Sequence, residues 1–351
     1  MARLSFTALA ATMVVALAGL FALAAVAATP TVRESLRQPD AWFLSDAGRR
    51  VLDNVLSHQS PHGDWPKNQN TTATRFTGDA ESIKGTFDNG ATTGELRLLA
   101  RALAATNDAR FLVAFRKGFD HILAAQYTNG GWPQYSPPPA RSYHRHITFN
   151  DDAMRRLLEF LRDAGSATNF SFLPPAPRAD ARRAFDRGIE CIVKCQVRVN
   201  GRLTVWCAQH DEITLEPRPA RTFELASLSG AESAGLLQLL MSLEKPSPEV
   251  VRAVHAGAHW FATNQLTGLR EIKVGGDKRI VREAAAPPLW ARFYELETGR
   301  PIFAGRDGMK KFDYAEIEAE RRNGYAWYGA WGAEVLSRYA AWRQRWPEPA
   351  H

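Results

Sequence analysis

The chain has 351 residues, three cysteines, and 44 Lys and Arg against 37 Asp and Glu, for a net charge of +7. So few cysteines exclude a disulfide-framed scaffold, and the basic excess favours a polyanionic partner. Nucleic acid is the weakest polyanion here because zinc-finger, helix-turn-helix and RNP signatures are missing, and the absence of P-loop, dinucleotide, HExxH and G-x-S-x-G motifs leaves those chemistries unsupported.

Residues 1–28 read as a secretory signal. Arg3 precedes the apolar run from Leu9 to Val26, and Ala25-Val26-Ala27-Ala28 offers small residues to a peptidase. No later stretch approaches the roughly 20 apolar residues of a membrane span. The expected mature protein is secreted or periplasmic and monomeric, keeps no stable membrane association, and forms a single domain over 29–351.

A helix end closing on glutamine then recurs four times: VLDNVLSHQ to Gln59, GFDHILAAQ to Gln126, GIECIVKCQ to Gln196 and GAHWFATNQ to Gln265. Three copies run into turns carrying Trp65, Trp132 and Trp206. A second helix is expected after each, from Asn89, Asp151, Ser229 and Pro287. A two-helix repeat cannot bury its apolar face alone, so neighbours must stack, and the predicted fold is all-α. The Pro-rich stretches SPPPA (136–140) and LPPAPR (173–178) fall inside this pattern as loops. Strand-like alternation is clearest at 195–207, as a hairpin turning on Asn200-Gly201. Cys191 and Cys195, four apart on one helix, read as buried thiols, with a bridge to Cys207 as the alternative.

The loops between first and second helices fall at one end of the stack. They hold Asp88, Asp151, Arg221 and the pair Arg282/Glu283. In GTFDNGATTGEL, Asp88 or Asn89 immediately precedes a helical run. Thr86-Phe87-Asp88-Asn89 is echoed by Thr148-Phe149-Asn150-Asp151, with Asp152 adding a carboxylate. The plainer reading makes these independent helix caps. The sharper one gathers hard oxygen ligands, without His or Cys, into a site that suits calcium. Arg221 lies on the equivalent third loop, and Arg282, Arg292 and Arg306 follow. Guanidinium forks grip carboxylates, so such a cluster around a cation fits a chain of acidic sugars. Trp65, Trp132, Tyr135 and Trp206 suit either sugar stacking or core packing.

Eight motifs, FDNGAT, NGGWPQ, ITFND, LTVWCAQHDE, A-R-x-x-E-L-x-S-L-S-G, PPLWARFYE, FxGRDG and NGYAWYG, together resemble the family 10 pectate lyases over roughly residues 45–335. The resemblance implies an (α/α)3 toroid and calcium-dependent β-elimination of polygalacturonate. It places Asp88, with Asn89, and Asp151 at the calcium and substrate-carboxylate positions, Arg221 as the base, and Arg292 and Arg306 on substrate carboxylates. The chain departs from the family pattern at Thr222-Phe223 and at Asp152. Two alternatives stand beside it: an inverting glycoside hydrolase using Asp88 and Asp151, and a non-catalytic pectin-binding protein.

Overall fold

A computed structural model describes residues 29–166 and 170–348. The expected signal segment, 1–28, lies outside the described residues. Among the described residues, eight longer helices organise the fold: α1 (Asp46–Ser57), α2 (Thr93–Thr106), α3 (Ala109–Ala124), α4 (Ala153–Ser166), α5 (Pro175–Cys195), α6 (Gly230–Met241), α7 (Pro248–Thr263) and α8 (Trp331–Arg345). Helices α2, α4 and α6 touch in succession and α8 packs on α6 and α7, while α3, α5 and α7 form a second row outside them. Helix α6 is apolar almost all round and is buried along nearly its whole length, as its inner position requires.

The recurring glutamine is a structural clasp. Gln59 Nε2 donates to Gly63 O and to Ala114 O on α3, both at 2.9 Å. Gln126 does the same to Gly130 O and Ala184 O on α5, and Gln196 to Thr204 O and Ala253 O on α7. Each unit thus grips the outer helix of the next. Four residues before each glutamine, a helix carbonyl accepts a tryptophan indole N–H. The pairs are Trp65–Val55, Trp132–Ile122, Trp206–Ile192 and, in the fourth unit, Trp290–Phe261, at 2.7–2.9 Å. These tryptophans are at most 1 % exposed, so they are core residues and not sugar platforms. The first two turns also need glycine: a Cβ on Gly63 or Gly130, both at positive φ, would lie 2.6 or 2.1 Å from the carbonyl oxygen of Lys117 or Arg187.

The fourth unit departs from the expected helix pair. Residues 290–294 are strands, Trp290–Ala291 pairing with Tyr328–Gly329 and Phe293–Tyr294 with Leu228–Ser229. Continuous burial of large aromatics, after two prolines, suits a strand packed on both faces. A second hairpin, Leu269–Val274 with Asp277–Arg282, turns on Gly275-Gly276. Asn200-Gly201 turns the short hairpin of 198–203, both residues at positive φ as a type I′ turn requires. Around the C-terminal strands a small second core forms from Phe223, Phe293, Phe303, Tyr314, Trp327 and their neighbours. All three cysteines are free and buried, Cys191 and Cys195 sulfurs 4.0 Å apart.

Candidate active site

Two short 3-10 turns, Asp88–Gly90 and Asn150–Asp152, lie side by side at the N-termini of α2 and α4. They are conformational copies. Asn89 (φ 54°) and Asp151 (φ 51°) occupy the left-handed region, which Asn and Asp tolerate better than other side chains. The residue before each, Asp88 or Asn150, is buried. Neither aspartate caps its helix. Asp88 Oδ2 accepts from Lys67 Nζ and, at 2.6 Å, from Gln134 Nε2, while Oδ1 is buried without a partner. Asp151 Oδ2 accepts from Asn150 Nδ2 at 2.7 Å, and its Oδ1 lies 3.3 Å from Arg292 Nη2.

Asp88, Asn89, Asp151 and Arg221 line one cleft of about 130 Å³, together with Lys67, Gln134, Tyr143, Asn150, Gln209 and Glu224. Arg292 touches it through Asp151 and pairs with buried Glu232. Burial opposes the charge on Arg292, but Glu232, Tyr325 and Asp151 outweigh it and raise its pKa. Arg221 is tied to Glu224 by two side-chain bonds, at 2.8 and 2.5 Å, which raise its pKa also. Burial disfavours the Glu224 carboxylate, and Arg221 and Tyr325 more than offset this. Arg306 sits beyond Phe223, 3.0 Å from Glu320. Arg282 is exposed at the end of the hairpin, opposite Leu269, and does not line the cleft. Asp152 also turns away, 3.6 Å from Arg155 and against Gly235.

Lys67, Gln134 and Glu224 were missed as site residues by sequence reasoning. Trp65-Pro66-Lys67 and Trp132-Pro133-Gln134 are repeat copies, and both reach the same oxygen of Asp88. The donor set of the cleft fits calcium: its acceptors are hard oxygens, and Asp88 Oδ1 is an unpartnered buried carboxylate oxygen. A separate group, His146, Asp211 and Glu212, places ligand atoms within 4.8 Å of one another. Its carboxylates are taken by Arg145 and Arg218, so it makes a poorer cation site.

Helix pairs packed in two rows, with anionic and guanidinium groups gathered in one cleft, have the architecture of an (α/α) toroid enzyme. The family model described as pectic acid lyase matches residues 59–336, and the chain belongs to that family: it is a pectate lyase with the (α/α)3 toroid fold. It is similar to the family 10 polysaccharide lyase from Cellvibrio cellulosa, at 32% identity over 91% of this chain and 95% of that one, with a TM-score of 0.76. A mutant of that lyase in complex with trigalacturonic acid aligns at 33% identity, 91% and 99% coverage and a TM-score of 0.74. No match is found among the curated proteins.

Proposed function

We propose that this lyase cleaves polygalacturonate by calcium-dependent β-elimination, with Arg221 as the base. The observation that carries this reading is the meeting of Asp88, Asn89, Asp151 and Arg221, from three separate loops, in one cleft. Asp88, Asn89 and Asp151 would hold calcium together with a substrate carboxylate. Calcium, when bound, supplies positive charge where loss of the uronate C5 proton builds a second negative charge on that carboxylate. Arg292 and Arg306 bind neighbouring carboxylates as bidentate forks. Arg221 takes the C5 proton, the C5–H electrons become the C4=C5 double bond, and the C4–O4 bond breaks.

A guanidinium is a poor base until it loses a proton, and Glu224 stabilises the charged form. A substrate-bound cation nearby acts in the opposite direction. Activity is therefore expected to rise toward alkaline pH. We read the chain as an exported monomer with 29–351 as its catalytic domain. Among the described residues, no helix is long and apolar enough to cross a membrane.

The test is a time course on polygalacturonate with and without a calcium chelator, followed by ultraviolet absorbance of the unsaturated product. Absorbance that grows only without chelator supports the reading. Reducing ends without absorbance would instead identify a hydrolase, and retention of uncut polymer a binding protein.

A further inference from the structure

Both oxygens of Glu224 are fully occupied, and both serve Arg221. Oε2 accepts Arg221 Nε at 2.8 Å and the Arg221 backbone N–H at 3.1 Å. Oε1 accepts Arg221 Nη2 at 2.5 Å and the Tyr325 hydroxyl at 2.7 Å. Glu224 itself is 3 % exposed, so this geometry is set inside the protein. Arg221 Nη1 takes part in none of these bonds. The Tyr325 ring lies between two guanidinium groups, 5.5 Å from that of Arg221 and 4.7 Å from that of Arg292. Phe223 meets Tyr325 edge-on and carries Arg221 at 5.0 Å and Arg321 at 4.5 Å. The Arg221 side chain is thus fixed at its edge by Glu224 and flanked by two rings.

We propose that Glu224 and Tyr325 are positioning residues that leave Nη1 of Arg221 as the proton-accepting atom. The proposal rests on Arg221 being the base. A neutral guanidine has one imine nitrogen with a free in-plane lone pair and keeps its full set of N–H donors on the other two. Tying Nε and Nη2 to a carboxylate selects the tautomer in which Nη1 is the imine nitrogen, as a buried carboxylate selects the imidazole tautomer in a serine-protease triad. Glu224 then stabilises the guanidinium formed when the proton arrives. The same charge strengthens the base and raises the pH at which it becomes available. Tyr325 holds Glu224 through its hydroxyl and limits rotation of the guanidinium through its ring. The charged and titratable groups facing Arg221 are Glu224 on its own loop, Tyr143, Tyr325 and Arg321, with Arg306 across Phe223 and Lys67, Asp88 and Asp151 in the cleft.

The test is kcat and KM on polygalacturonate across pH for the wild type, Tyr325→Phe, Glu224→Gln and Arg221→Ala, with thermal melting of each. Tyr325→Phe keeps the ring, and kcat is expected to fall roughly tenfold, the scale of one lost hydrogen bond, with KM within about twofold. Glu224→Gln is expected to lower kcat by about a hundredfold and to move the rising limb of the pH profile to lower pH, because the guanidinium has lost its counter-charge. Wild-type kcat and an unmoved pH limb in both variants would overturn the proposal. So would losses that follow the melting temperature alone, with the limb in place. If Arg221→Ala turns over normally, or the wild type makes no unsaturated product, the base assignment itself fails, which is a different outcome from an idle clamp.

Discussion

One nitrogen of Arg292, Nη2, bridges Asp151 Oδ1 at 3.3 Å and the buried carboxylate of Glu232. The same guanidinium therefore belongs to the cleft and to the core. Replacing Arg292 by Met leaves Glu232 buried without its counter-charge, and an equilibrium urea titration is expected to show a loss of about 3–5 kcal/mol. Adding Glu232→Gln to that variant restores most of the stability. Turnover is not expected to return, because on the proposed function the fork that would hold a uronate is gone.

Two aspartates of the cleft, Asp88 and Asp151, differ from their neighbour Asp152. Asp88→Asn or Asp151→Asn is expected to weaken calcium binding at least about tenfold in a calorimetric titration, since a carboxylate ligand contributes charge that an amide lacks. Asp152→Asn leaves the titration unchanged, because Asp152 is turned toward Arg155 and Gly235. Equal weakening by all three would remove the distinction.

Glu95 on α2 is buried, and burial pushes its pKa up to about 7 against the opposing hydrogen bond from Thr71. The neutral acid is the form the fold accepts. Its contribution to stability is fully present below the unfolded pKa near 4.5 and is lost as pH rises through about 7. Glu95→Gln is expected to flatten the pH dependence of stability between those limits. At pH 8 it should melt higher than the wild type, by up to about 3 kcal/mol in unfolding free energy.

The clasp predicts an asymmetry between identical residue types. Gln196→Leu leaves the Thr204 carbonyl without its side-chain donor, breaks the bond to Ala253 O on α7, and is expected to cost about 3 kcal/mol. Gln265→Leu should cost under about 0.5 kcal/mol, because among the described residues its side chain bonds no later helix. Equal losses at 196 and 265 would show that the glutamine acts through local packing alone.

Much of the ring was readable because its signals are local and repeated. The helices end one or two residues before Gln59, Gln126, Gln196 and Gln265, and the echo of Thr86–Asn89 in Thr148–Asp151 correctly marked two loops of like conformation. The repeat also misled: carried into a fourth unit, it predicts a helix from Pro287, where strand pairing with Leu228–Ser229 and Tyr328–Gly329 decides the conformation. Those partners are remote in sequence, so no local window reveals them. Arg282 misled in the same way, since only the hairpin register sets it outside the cleft. Lys67 was recoverable in principle from the Trp-Pro pair it shares with Gln134. Glu224 was within reach too, three residues from Arg221 in the A-R-x-x-E-L run, but its second partner, the Tyr325 hydroxyl, lies 101 residues away and no local window reveals it.

The amide clasps all face one way along the chain, each reaching forward and none backward. Damage to the ring is therefore expected to travel upstream. A chain cut before Pro248 would empty the hand of Gln196 and loosen α5, whereas one lacking everything before Asp46 would release no clasp at all.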